Sequence, residues 1–276
     1  MRPELRAKVV IDKSYLQGAP KARVGEIASA HGLLMSEALL YELVKAESGD
    51  RAKWFSKFPE CARPFDLIPN PGTLFRSEIS TNRSAGLPSS HVRLIDHRDT
   101  ARYRDPGYVI TGDKANALSE KRDQVQTDVE MLFDMVDDIP RMFPAFATAQ
   151  PREYEGTHED AESKICNDVD FIRDISTKLV AGSPFFSGNS ASAIDHTWIT
   201  FRWLQVNLLF ALELWVKYPQ GVRMQTGEKF KERLRHDVLD AQYLMLGLLE
   251  GAFATKEKKL CVWWKKLSPE GYLYSE

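Results

Sequence analysis

Four carboxylates, Asp12, Glu42, Asp240 and Glu257, stand where the sequence pattern could bring acidic side chains together. Asp12 follows the short apolar run KVVI, read as a buried strand, at the point where that strand emerges. Glu257 lies two residues beyond a second strand-like run, Ala252-Phe253-Ala254-Thr255. Both positions are at the carboxyl ends of strands, where open parallel sheets place their ligands. Glu42 and Asp240 belong to amphipathic stretches expected to be helices packed beside those strands. Four such groups sharing one small site as free anions would repel one another strongly at neutral pH. A hard divalent cation, Mg²⁺ or Mn²⁺, is the natural compensation. One or two such ions would activate water and stabilise the oxygens of an in-line phosphodiester displacement.

The elements that would position these groups follow from hydropathy. Val24, Ile27, Ala28 and Ala30 fit a helix over 21–31 that Gly32 ends, and Leu33-Leu34-Met35 fits a second buried strand. Ser36 is placed to cap a helix from Glu37 to about Glu47, with Leu39, Leu40, Leu43 and Val44 on its apolar side and Glu42 at its edge. Strand, helix, strand, helix is the opening of a parallel sheet. Residues 48–115 are broken by repeated prolines and glycines and read as irregular. Helices are expected over 116–142 and 160–181, with the SGNSAS loop before Ile194. The apolar run TWITFRWLQVNLLFALELWVKY then predicts a buried helix ended by Pro219. A helix over 227–250, the strand ending at Thr255, a helix over 258–267 and an edge strand Tyr272-Leu273-Tyr274 complete the chain. Asp195-His196 reads as a helix cap.

At this point the sequence resembles the PIN-domain nucleases. VVIDKSYL is similar to their first strand with its leading aspartate, and LLMSEALLYEL to their second strand and glutamate-bearing helix. DAQYLMLGLLEGAFATKEKKL is similar to their aspartate-opened helix, strand and Thr-x-Asp-x-x-Leu segment. The resemblance covers about 47 residues at the start and about 50 at the end. It implies an α/β, PIN-like three-layer fold with a central parallel sheet, discontinuous over 1–47 and 195–276, with 48–194 a largely helical insertion. It implies Asp12, Glu42, Asp240 and Glu257 as catalytic and metal-binding residues, with Asp237 as backup for Asp240. It also implies a metal-dependent endoribonuclease using Mg²⁺ or Mn²⁺ on RNA. This chain has glutamate at position 257 where the family has aspartate, so the carboxylate is displaced by one methylene. That departure favours a rival reading, a PIN-like binding or scaffold module without catalysis. A further rival is a helical interaction protein with a small α/β cap.

Composition narrows the alternatives. The 276 residues, 43% of them hydrophobic, can build a sizeable core. Three widely spaced cysteines with no CxxC spacing argue against a disulfide framework and a cysteine-ligated zinc site. The N-terminal apolar run is broken by Asp12 and Lys13, so a cytoplasmic, non-membrane protein is expected. The net charge of −2 is unevenly spread: residues 116–175 carry 15 acidic against 6 basic side chains, whereas residues 51–115 carry 7 against 11. A phosphate-binding surface should avoid the former segment. Arg93, Arg98, Arg102 and Arg104 are the substrate-binding candidates, and HVRLIDHRD, with His91, Asp96, His97 and Asp99, reads as a basic loop before it reads as a metal site. Trp263 and Trp264 are expected in the core, with base stacking as the alternative. A protein regulator is a further expected partner; the oligomeric state is open.

Overall fold

The computed structural model describes residues 8–95, 97–148, 154–181 and 194–276. Its chain divides into two compact units, one formed by residues 1–74, 85–121 and 242–276, the other by residues 75–84 and 122–241.

The first unit is built on a parallel sheet. Its strands are β1 (Val9–Ile11), β2 (Leu33–Ser36), β3 (Asp66–Ile68), β4 (Ala252–Ala254) and β5 (Tyr272–Tyr274), in the order β3-β2-β1-β4-β5. Val10 faces Leu34 on one side and Phe253 on the other. Every residue of β1 and β4 is buried, although alternate side chains of a strand point to opposite faces. The sheet is therefore covered on both faces, which is why its strands read as continuous apolar runs. Helices α1 (Lys13–Gly18) and α2 (Lys21–Ala30) connect β1 to β2, and α3 (Glu37–Lys45) and α4 (Ser48–Phe55) connect β2 to β3. Ser36 caps α3 as expected, its hydroxyl accepting from Leu39 N at 3.0 Å.

Strand β3 lies inside the span that the sequence reads as irregular. Three residues, Asp66-Leu67-Ile68, between Pro64 and Pro69 are too short for periodicity to register, yet their backbone completes an edge of the sheet through pairing with β2. Helices α5 (Pro71–Thr81) and α6 (Arg98–Tyr103) also fall there. The sheet therefore draws on more of the chain than residues 1–47 and 195–276, and residues 195–241 group with the second unit.

The second unit is helical. It takes in much of α7 (Asp113–Met142), then α8 (Ala145–Thr148), α9 (Tyr154–Asn167), α10 (Val169–Ala181), α11 (Ile199–Lys217) and the first part of α12 (Glu228–Glu250). The single helix expected over 160–181 is two, because Asp168 stops the first and caps the second, accepting from Phe171 N at 2.9 Å. Helix α11 is long and apolar enough to cross a membrane by composition alone, but 72% of its apolar window is buried, packed against α9 and α10. Its N-terminus is held by Glu78, buried, whose carboxylate accepts from Ile199 N at 2.7 Å and from Thr200 N and Oγ1 at 2.9 and 2.7 Å. Asp195 forms a local turn with Thr197 instead of that cap. Part of the acidic charge of α7 is also spent locally, since Arg223 bridges Glu130, Asp134 and Asp137 along one face. The expected SGNSAS loop lies outside the described residues.

The last crossover closes the first unit. Gly251, at a φ of +83°, ends α12 and turns the chain into β4. Helix α13 (Lys258–Leu267) then leads to β5 at the sheet edge. Trp263 and Trp264 are both buried, and Trp264 stacks on Phe253 with ring centroids 5.5 Å apart. An ideal Cβ on Gly247 would lie 3.0 Å from the Phe253 ring, so this glycine lets α12 approach the strand. Truncation of Phe253, wholly buried in the central part of the sheet, should leave a cavity there. Phe253→Ala is expected to cost about 3–5 kcal/mol in urea denaturation, and a loss below about 1 kcal/mol would contradict the packing described.

Candidate functional site

The change in strand order gives the sheet one switch point. The chain moves from β1 outward to β2 and β3, then returns to add β4 on the opposite side of β1. The loops leaving β1 and β4 thus diverge from adjacent strand ends, the position at which open parallel sheets place their ligands. Asp12 follows β1 and Thr255 follows β4, with Asp12 N donating to Ala254 O at 3.1 Å.

Asp12 is 1% exposed and caps α1. Its Oδ1 accepts from Tyr15 N at 2.7 Å, its Oδ2 from Thr255 Oγ1 at 2.5 Å, and Ser14 Oγ lies 2.9 Å from both oxygens. The two hydroxyls are placed in turn by backbone: Ser14 Oγ accepts from Lys256 N at 2.8 Å, and Thr255 Oγ1 from Glu257 N at 3.0 Å. The carboxylate is therefore both a structural cap and the centre of a small polar lattice joining the two strand ends.

Glu42 is brought to the same place. It is 2% exposed, not at a solvated helix edge. One oxygen pairs with Lys13 Nζ at 3.0 Å, and the other accepts from the buried Tyr243 hydroxyl. Lys13 also lies 5.7 Å from the centroid of the Trp54 ring. Burial pushes the Asp12 carboxyl up to about 7; the bonds from Thr255, Tyr15 and Ser14 pull against this, and the negative charge of Glu42 adds to it.

The other two predicted acids are placed differently. Glu257 is half-buried at the N-cap position of α13 without a side-chain capping bond. Its backbone N–H donates to the Thr255 hydroxyl that in turn bonds Asp12, which places Glu257 beside the Asp12 end of β4. Asp240, half-buried, lies on the part of α12 that groups with the second unit, as does Asp237, which is buried with Arg233 Nε at 3.9 Å. Among the described residues, no group of three acidic, histidine or cysteine side chains is arranged to hold a metal ion.

A divalent cation nonetheless fits the chemistry at Asp12 and Glu42. The donors are all hard oxygens, from two carboxylates and the hydroxyls of Ser14 and Thr255. Of the two buried carboxylates, Glu42 pairs with the Lys13 ammonium, whereas Asp12 is held by the uncharged donors of Ser14, Tyr15 and Thr255, so a bound cation would stabilise its ionised form.

The arginine segment has other duties. Arg104 donates to the carbonyls of Phe55, Phe58 and Pro59, so its guanidinium holds the α4 terminus and is not presented to phosphate. Arg93 pairs with Glu37 at 2.5 Å, and Arg102 with Asp99 at 3.1 Å. Arg98 opens α6. His91 bonds the Ala85 carbonyl, and Asp96 lies outside the described residues. Sequence reasoning passed over Ser14, Lys13 and Tyr243. Ser14 had a usable signal, because a hydroxyl two residues after a cap aspartate commonly closes a local turn. Lys13 and Tyr243 had none, since their roles depend on which helix lies opposite.

The raised Asp12 value fixes the sign of a pH effect. An unfolded aspartate titrates near 3.9, so between about pH 4 and 7 the folded chain binds more protons than the unfolded one. Stability contributed by the protonated carboxyl is present below pH 4 and lost as pH rises through 7, on the order of 4 kcal/mol in all. Asp12→Asn should remove this slope. Its stability relative to the parent, measured by urea denaturation, should rise by about 1.4 kcal/mol per pH unit from 5 to 7; a constant difference would show that Asp12 titrates normally. No family model, curated protein or solved structure matches the chain.

Proposed function

We propose that the protein is a metal-dependent nuclease that hydrolyses RNA phosphodiester bonds, with a PIN-like first unit. The observation that carries this reading is a buried aspartate and a buried glutamate set together at the switch point of a parallel sheet, with hydroxyls arranged to orient the aspartate. Asp12 and Glu42 would hold Mg²⁺ or Mn²⁺, with Glu257 of the same unit adding a carboxylate as the PIN resemblance implies. A bound divalent ion would neutralise phosphate oxygens and lower the pKa of a water nucleophile.

The chain's own residues do the positioning. Thr255 and Ser14 fix the rotamer of Asp12, so its oxygens point in one direction without an entropic cost at the moment of binding. Tyr243 and Lys13 do the same for Glu42. Burial of both carboxylates lowers the local dielectric and strengthens any interaction they make with a cation. The preference for RNA over DNA rests on the family resemblance alone.

A second reading has its own observation. Lys13 already neutralises Glu42, and Asp12 is bonded on both oxygens, so the pair is also consistent with a PIN-like binding module that needs no metal. Two measurements separate the readings. On a mixed single-stranded RNA pool with Mn²⁺ or Mg²⁺, the parent chain should cleave and Asp12→Asn should be slower by at least about 100-fold, the scale of losing one electrostatic stabiliser. Calorimetric titration with Mn²⁺ should show a site in the parent that Asp12→Asn lacks, and Lys13→Gln should bind the ion more tightly because the competing ammonium is gone. Absence of both cleavage and an Asp12-dependent Mn²⁺ site would overturn the nuclease reading.

A further inference from the structure

Three lysines from two segments of the first unit gather at the end of α1, beside the Asp12 site. Lys57 Nζ donates to the carbonyls of Leu16, Gln17 and Ala19 at 2.5, 3.1 and 2.7 Å. The stem of Lys256 lies over Gly18, so closely that a Cβ there would sit 2.6 Å from Lys256 Cδ. Lys53 is exposed, one helical turn before Lys57. Its charge and that of Lys256 both act on Lys57, whose ammonium is held below the ordinary lysine value first by burial and then by these two neighbours. Among the described residues neither Lys53 nor Lys256 has a carboxylate partner.

Gathering like charges costs free energy, and the ordinary compensation on a protein surface is an acidic side chain. Here the carboxylates nearby are turned inward: Asp12 is enclosed by Ser14, Tyr15 and Thr255, and Glu42 by Lys13 and Tyr243. Lys256 is bound to the site by its own backbone, since its N–H donates to the Ser14 hydroxyl that holds Asp12. An anion lying across these lysines would therefore be a short chain distance from the acids. The carbonyls at the end of α1 occupy Lys57, which leaves Lys53 and Lys256 as the two ammonium groups open to an external anion.

We propose that Lys53 and Lys256, set around Lys57 at the end of α1, form the track that receives the phosphate backbone of a single-stranded nucleic acid and leads it to the Asp12 site. This rests on the nuclease reading for its substrate class, but binding at the track requires neither cleavage nor a divalent ion. It moves the substrate contacts from the arginine segment, where Arg93, Arg102 and Arg104 are engaged with Glu37, Asp99 and backbone carbonyls.

The test is the salt dependence of binding. A fluorescein-labelled single-stranded RNA is titrated with the full-length chain in a chelator, at salt from about 50 to 200 mM, and the slope of log affinity against log salt is read from anisotropy. Each phosphate contact contributes about 0.7 to that slope for a single strand, so Lys53→Gln/Lys256→Gln should reduce it by about 1.4. Gly18→Ala, which displaces the Lys256 stem without changing any charge, should reduce it by about 0.7. Arg102→Gln is expected to leave it unchanged. An unchanged slope in the lysine variant, a loss shared equally by Arg102→Gln, or lysine-dependent binding to anionic lipid vesicles with none to RNA would overturn the proposal. Cleavage with an unchanged lysine slope sinks the track alone, whereas a lysine-dependent slope without cleavage sinks the catalytic reading and leaves the track standing.

Discussion

The constraint on which the first unit depends is a carboxylate that has been taken out of water at the junction of two strands. Asp12 must satisfy both oxygens inside the protein, because an ionised carboxyl left unbonded in the interior would cost several kcal/mol. The partners that meet this demand come from two ends of the chain. Tyr15 N and Ser14 are local; Thr255 arrives from beyond β4. The bond between Thr255 and Asp12 thus joins the two strand ends at the switch point, and the β1–β4 pairing holds them in register. Ladder and side-chain bond are one cooperative arrangement, and the same arrangement keeps a negatively charged group poised close to neutral pH.

Around this centre the charges are distributed in layers. Innermost are Asp12 and Glu42, with Lys13 and Tyr243 bonded to the latter. Outside them the lysines at the end of α1 are positive and lack acidic partners among the described residues. An acid centre with a cationic approach is the electrostatic pattern that a polyanion needs if it is to be delivered to a cation-binding group. Within the second unit, part of the acidic charge of α7 is spent on Arg223. Net charge conceals this organisation because the acidic excess over residues 116–175 is largely offset by the basic excess of the rest of the chain.

The second unit follows a different logic. Helix α11 is apolar nearly all round, and its burial against α9 and α10 accounts for that composition without a membrane. Its N-terminus is completed by Glu78, a residue distant in sequence, in place of the local Asp195-His196 cap that the sequence invites. A buried glutamate satisfying three donors and interacting with the positive end of a helix is worth more than an exposed turn residue could provide.

Much of the sheet was legible in the residues. β1, β2, β4 and β5 are short apolar runs bounded by Gly32, Gly251 and the Pro269-Glu270-Gly271 turn, and their local chemistry does not depend on distant contacts. The same holds for the Ser36 cap, the buried α11 and the interior placement of Trp263 and Trp264, because apolar patterning and capping are properties of a few neighbouring residues. What only tertiary structure decided is pairing. Asp66-Leu67-Ile68 became a strand because β2 offered an open edge, and Arg104 became a backbone clasp because three carbonyls faced it. Asp12 was readable as a strand-end acid, but its hold on Thr255, the enclosure of Glu42 by Lys13 and Tyr243, and the grouping of Asp240 with the second unit depend on contacts between segments tens to hundreds of residues apart. A single sequence carries the chemistry of each group, whereas the distance between groups is set by the path of the backbone through the core.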